Sequence, residues 1–199
     1  MTAGMDHEAT PLEMRRVMGQ FCSGITVVAG FTAEDKPVGF ACQSFASVSL
    51  DPPLVLFCVA TTSRSWPLIR ESGRFAVNVL AETQQDVCAT FGRPGKDKFA
   101  DLSWERTEWG PSIDGVLATV LCDVHDVHRA GDHDIVVGHV RQLWTASPDG
   151  ASPGPLLFFR GRYGIDDPTN DLGLWRWEAL FGFDEMDSLT PTAEAARAE

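Results

Sequence analysis

The sequence of 199 residues has no apolar run long enough to cross a bilayer. Its opening, MTAGMDHEATPLE, lacks the basic and apolar regions of a secretory signal, so a cytoplasmic protein is expected. Positive charge is scarce: 16 Lys and Arg face 28 Asp and Glu, for a formal net charge of −12. That balance argues against nucleic acid or an anionic membrane as partner, while a small anion can still bind where local cations and amide dipoles gather. The five cysteines form no CxxC pair, which argues against a zinc or dithiol site. Cys22, Cys42, Cys58 and Cys122 fall in apolar stretches and Cys88 in a predicted helix, so buried reduced thiols are expected. No GxGxxG follows a strand, and GRPGKDKFAD (92–101) lacks Walker spacing, so a Rossmann domain and a P-loop are excluded. No triad or pair of catalytic carboxylates is recognisable. His125 and His128 have opposite parity on an extended strand, and with His133 and His139 they form no metal-ligand spacing.

What is present is organised around Val38 to Pro67, VGFACQSFASVSLDPPLVLFCVATTSRSWP. Leu54 to Val59 is an unbroken apolar run between Asp51-Pro52-Pro53 and Thr61-Thr62-Ser63, and it reads as a strand buried on both faces. Val38 to Leu50 differs, because Gln43, Ser44, Ser47 and Ser49 place neutral polar groups in a β-rich stretch without formal charge. Two readings stand: a solvated strand face, or a cavity lined for a planar ligand with polar edges. In Ser63-Arg64-Ser65-Trp66-Pro67, Ser65 is placed as an N-cap and Pro67 in the first turn of a helix, Trp66 to Ser72, closed by Gly73. Such a start, with two serines and Arg64, suits a phosphate or is simply a capped surface helix.

At 44% hydrophobic residues the chain can build one compact, β-rich domain. Residues 1–9 read as a disordered lead-in. Thr10-Pro11-Leu12-Glu13 predicts a capping box. Met14, Val17, Met18 and Phe21 then form an apolar stripe expected to pack on the body, with Gly24 ending the helix. Ile25 to Phe31, Phe75 to Leu80, Val116 to Val127, Ile135 to Trp144 and Leu156 to Phe159 read as strands, and Gln84 to Phe91 as a helix with Val87, Cys88 and Phe91 inward. Glu34-Asp35-Lys36 and His128 to Asp134 read as turns, and Ser147 to Pro155 as a loop. Leu172 to Phe183 is a Trp-rich helix candidate that should pack on the body or on a second subunit.

The stretch GFACQSFASVSLDPPLVLFCVATTSRSW resembles the flavin-binding segment of the flavin reductase-like, split-barrel family, the small partners of two-component flavin-dependent monooxygenases. The resemblance runs from about Met14 to Tyr163 through GQFCSGITVV, SGRFAVNVL, DKFA, AGDH and PLLFFRGRY. It implies a mainly β fold, a six-stranded antiparallel split barrel over residues 10–164 with flanking short helices, assembled as a homodimer, and a C-terminal extension over 165–199. It implies an NAD(P)H:flavin oxidoreductase that uses NADH or NADPH to reduce FMN or FAD. The diffusible product would serve a separate oxygenase in aromatic or steroid ring hydroxylation. Ala41, Cys42, Gln43 and Ser44 would pair the isoalloxazine edge, and Ser47, Val48, Ser49, Ser63, Arg64 and Ser65 would hold the ribityl-phosphate arm. Lys98 and Phe99 carry over as phosphate neighbours and His133 as the residue that positions the hydride donor, while the basic and aromatic end at Tyr163 contacts the cofactor or simply closes the barrel. On the residues alone, Lys98 reads as part of a solvated loop and His133 as a turn histidine bonded to backbone. A non-catalytic flavin-binding carrier or sensor of the same fold is the alternative.

Overall fold

The computed structural model describes residues 8–95, 97–146 and 153–164. Its elements are α1 (Pro11–Met18), β1 (Ser23–Gly24), β2 (Thr26–Phe31), β3 (Pro37–Cys42), β4 (Ala46–Leu50) and β5 (Pro53–Ala60). They continue with α2 (Trp66–Ser72), β6 (Arg74–Val79), α3 (Gln85–Gly92), β7 (Trp104–Arg106), β8 (Pro111–Ile113), β9 (Ala118–Ala130), β10 (His133–Thr145), β11 (Leu157–Phe159) and β12 (Arg162–Tyr163). The fold is mainly β and the paired strands run antiparallel.

Where six barrel strands were expected, the principal sheet has seven, in the order β3-β2-β6-β9-β10-β5-β4. Its two edge strands, β3 and β4, are consecutive in the chain and joined only by Gln43-Ser44-Phe45. So short a link spans about 13 Å at most, so the sheet must curl until its ends nearly meet. No β3–β4 ladder closes it, and the opening falls at the polar cluster.

Alternation along the strands builds two cores. Val28, Phe57, Phe75, Val77 and Val136 meet inside the curl, where Trp66 and Ile69 of α2 join them. Phe57 stands edge-on to both Trp66 and Phe75, with centroids 5.5 and 5.3 Å apart. Val27, Ala29, Ala41 and Leu80 form the other core, together with Cys88 and Phe91 of α3 and Phe158 of the small sheet β1-β11-β12.

The capping box forms as expected: the Thr10 side chain accepts from the Glu13 N–H, and Glu13 accepts from the Thr10 N–H. Four expectations need correction. The helix ends at Met18 rather than near Gly24, which lies in β1, and the stripe of Met14, Val17, Met18 and Phe21 is exposed instead of packed on the body. The β5 strand is not buried on both faces, because Leu54, Leu56 and Cys58 alternate with Val55, Phe57 and Val59 and only the second set enters the core. The turn read over His128 to Asp134 shrinks to Gly131-Asp132, since cross-strand pairing continues to Ala130↔His133 and Gly131 supplies the left-handed backbone. The thiols of Cys22 and Cys58 are only half-buried. The lead-in residues 1–7, most of the Ser147 to Pro155 loop, and Leu172 to Phe183 lie outside the described residues. No described helix is long and apolar enough to cross a membrane, and no group of three metal-ligating side chains occurs among the described residues.

Candidate functional site

Four elements meet where the sheet opens. From β5, the Cys58 N–H donates to Ser44 Oγ (2.8 Å), and the same hydroxyl donates to the Cys58 carbonyl (3.1 Å). Cys42 Sγ lies 3.3 Å from Ser44 Oγ, and the Cys42 carbonyl accepts from Thr26 Oγ1. Burial pushes the Cys42 thiol up, so it stays neutral at physiological pH. Ser44 is therefore a brace between the edge of β3 and β5, and its hydroxyl is committed to protein. Gln43, next to it, is half-buried, and its Nε2 is enclosed without a hydrogen-bond partner among the described residues, as is Trp66 Nε1. A buried donor left unpaired costs about 1–3 kcal/mol, so among the described residues Gln43 lacks an acceptor. Across the opening, Ser47 and Val48 of β4 are exposed and Ser49 is half-buried, with a register shift between Ser47 and Ser49.

The start of α2 is built differently from the sequence expectation. Ser65 holds the N-cap position, yet its side chain makes no capping bond; Ser63 Oγ accepts the Trp66 N–H at 3.2 Å instead. Ser65 Oγ is turned to β3 and donates to the Gly39 carbonyl at 3.1 Å. Lys98 reaches the same carbonyl at 3.4 Å and donates to the Phe91 carbonyl at 2.9 Å. Gly39 permits this junction: a Cβ there would stand 2.9 Å from the Val28 carbonyl oxygen and 3.0 Å from the Phe91 ring. Burial, and then the charge of Arg64, lowers the Lys98 ammonium to about 8. Arg64 and Lys98 thus crowd two cations beside Ser63 and Ser65, and neither forms an ion pair among the described residues, which favours an incoming anion.

His133 opens β10 opposite Ala60, and the hairpin tip is tied to the same corner by the Thr61 N–H, which donates to the Asp132 carbonyl at 2.9 Å. Its Nδ1 lies 2.8 Å from Asp132 Oδ1, a contact that holds the Asp132 carboxyl below its usual range. Phe99 and Tyr163 are placed elsewhere. The Phe99 ring is buried edge-on against Phe91 and Trp104. Tyr163 is buried beside Phe158 with its hydroxyl donating to Cys88 Sγ at 3.2 Å, and burial raises both groups.

The structure therefore brings Ala41 to Ser44, Ser63 to Ser65, Lys98 and His133 to one corner, with β4 along its open edge. It leaves Phe99 and Tyr163 in the core. Sequence reading missed Gly39 and Asp132, whose importance comes from contacts with residues distant in sequence or from a turn drawn too wide.

The description of the flavin reductase like domain matches residues 18–165. The reductase subunit HsaB of a flavin-dependent monooxygenase from Mycobacterium tuberculosis is 50% identical over 174 residues, 86% of this chain and 91% of that protein. An NADH-dependent flavin reductase from a Rhodococcus species is 38% identical, covering 84% and 97% of the two chains. Among solved structures, nitrilotriacetate monooxygenase component B from Mycobacterium thermoresistibile superposes with TM-score 0.72 at 53% identity, covering 82% of this chain and 90% of that one. An NADH:FAD oxidoreductase of Streptomyces globisporus, solved with NAD and FAD fragments, gives TM-score 0.71 at 33% identity, covering 80% and 94%.

Proposed function

The chain belongs to the flavin reductase like family, and from that premise we propose that it is the reductase component of a two-component monooxygenase. It passes hydride from NADH or NADPH to FMN or FAD, and the reduced flavin diffuses to a separate oxygenase acting on an aromatic or steroid ring. Residues 10–164 form the catalytic domain, active as a homodimer in the cytoplasm, and 165–199 an extension.

The observation that carries this reading is the junction at Gly39, where Ser65 and Lys98 converge on one carbonyl beside Arg64. About 13 Å along β3 lies the unpaired donor of Gln43. Cations at one end and an orphaned neutral donor at the other fit a ligand with an anionic arm and a carbonyl-edged ring.

Bound flavin supplies the electron-accepting ring, and the nicotinamide supplies the hydride. The chain's own residues bind and orient. Gln43 Nε2 donates to a ring-edge acceptor, and the backbone of Ala41 to Ser44 lines that edge. Ser47, Val48 and Ser49 form the open wall. Ser63, Arg64, Ser65 and Lys98 hold the phosphate, and His133, steadied by Asp132, positions the nicotinamide. Holding two rings at hydride-transfer distance requires no acid, base or nucleophile. Mixing the protein with NADH and FMN and following NADH absorbance tests the reading. Turnover above the protein-free rate is expected. A yellow protein that consumes no NADH would make it a carrier instead.

A further inference from the structure

The chain draws its positive charge almost wholly from arginine: among 16 basic residues only Lys36, Lys96 and Lys98 are lysines. Lys36 is exposed in the turn between β2 and β3, whereas Lys98 is half-buried and forms no ion pair among the described residues. The printed partners of its amine are two carbonyls, Phe91 at 2.9 Å and Gly39 at 3.4 Å. A carbonyl only accepts, so in the neutral amine both N–H bonds are drawn to these oxygens and the nitrogen lone pair is left pointing away from them. Burial, and then the charge of Arg64, lowers the group to about 8, so about a tenth of the molecules carry the free amine at pH 7. A lysine desolvated beside a second cation is an activated nucleophile. An arginine in this place would attract an anion equally well but would keep its proton. The neighbours of the amine are suited to a phosphate. Ser63 Oγ accepts the Trp66 N–H, which leaves its own proton to donate, and exposed Arg64 forms no ion pair among the described residues.

We propose that Lys98 is a covalent site for phosphorylated aldehydes, in which Arg64 and Ser63 hold the phosphate while the Lys98 amine condenses with the aldehyde. The Nζ lone pair forms the bond to the carbonyl carbon, and the π pair of the C=O bond moves to oxygen. That oxygen leaves as water with the two amine protons, and a C=N bond remains. No oxidant or reductant is consumed. A proton taken up from solvent gives the imine one N–H, which the Phe91 carbonyl is placed to accept. The step needs neither flavin nor nicotinamide and so stands apart from the reductase reading, although the imine would fill the phosphate position which that reading gives to flavin.

Pyridoxal 5′-phosphate and pyridoxal are the probes, and exposed Lys36 is the reference within the same molecule. The full chain is treated with each at pH 7, the imine is reduced with borohydride, and the labelled peptides are mapped. With the phosphate ester, Lys98 should be labelled at least about tenfold faster than Lys36; with pyridoxal that preference should fall by about tenfold. Excess inorganic phosphate should remove the preference shown by the ester. Arg64→Met, a substitution at an exposed position, should lower it by about tenfold as well. Equal labelling of Lys36 and Lys98 by the ester overturns the proposal. So does a preference for Lys98 that is the same with both probes, or one that Arg64→Met leaves unchanged, since either would mean that no phosphate is held beside the amine.

Discussion

Gly39 to Ser44 and Ala46 to Leu50 are neighbours in the chain, each supplying small neutral residues, and they come to lie in opposite environments. In the first, polar atoms are bound into the protein: the Gly39 carbonyl takes Ser65 and Lys98, the Cys42 carbonyl takes Thr26, and Ser44 is fixed to both backbone groups of Cys58. In the second, Ser47 and Val48 face outward and Leu50 is 91% exposed. One half of the polar cluster is a frame and the other an exposed wall on the edge of the sheet. A site needs both, since a rigid frame holds geometry and an open wall admits the ligand.

Substitutions should separate the halves. Gly39→Ala strikes the frame hardest, because the Val28 carbonyl and the buried Phe91 ring leave no room for a methyl group. A loss of about 1–3 kcal/mol is expected, read as a lower denaturant midpoint with reduced turnover. Ser44→Ala strands the Cys58 N–H and should cost about 1–2 kcal/mol by the same measurement. On the wall, Ser47→Ala should stay within about 0.5 kcal/mol of the parent while raising the KM for flavin. A Ser47→Ala stability loss as large as that of Ser44→Ala would abolish the distinction.

The comparison also has a pH signature. Lys98 is charged below about 8 and loses its proton above it, owing to burial and Arg64. A bound phosphate favours the protonated form, so FMN affinity should fall as pH rises through about 8, approaching a tenfold loss per unit. Riboflavin, which has no phosphate, should show no such loss.

Much of the frame was legible locally. Thr10-Pro11-Leu12-Glu13 gave the start of α1, and Pro67 with Gly73 bracketed α2 at Trp66–Ser72. These signals act within a turn or two of chain, so no partner need be known. The role of Ser44 was not legible because Cys58 lies fourteen residues away and meets it only after the sheet curls. The same applies to Ser65, whose acceptor is twenty-six residues upstream. Amphipathicity had the same limit. Trp66 and Ile69 of α2 are buried and the stripe of α1 is exposed, because a stripe states that cover is needed without stating what supplies it. The resemblance assigns Phe99 and Tyr163 to the cofactor's surroundings. Both lie in motifs shared with the family, and here both rings pack into the core.

The most direct test of the anionic-arm assignment compares FMN with riboflavin on the parent protein and on Lys98→Met, by equilibrium binding at pH 7. Loss of one charge-assisted contact should weaken FMN about tenfold or more and leave riboflavin within about twofold. Equal weakening of both ligands, or of neither, would contradict a phosphate held beside Gly39.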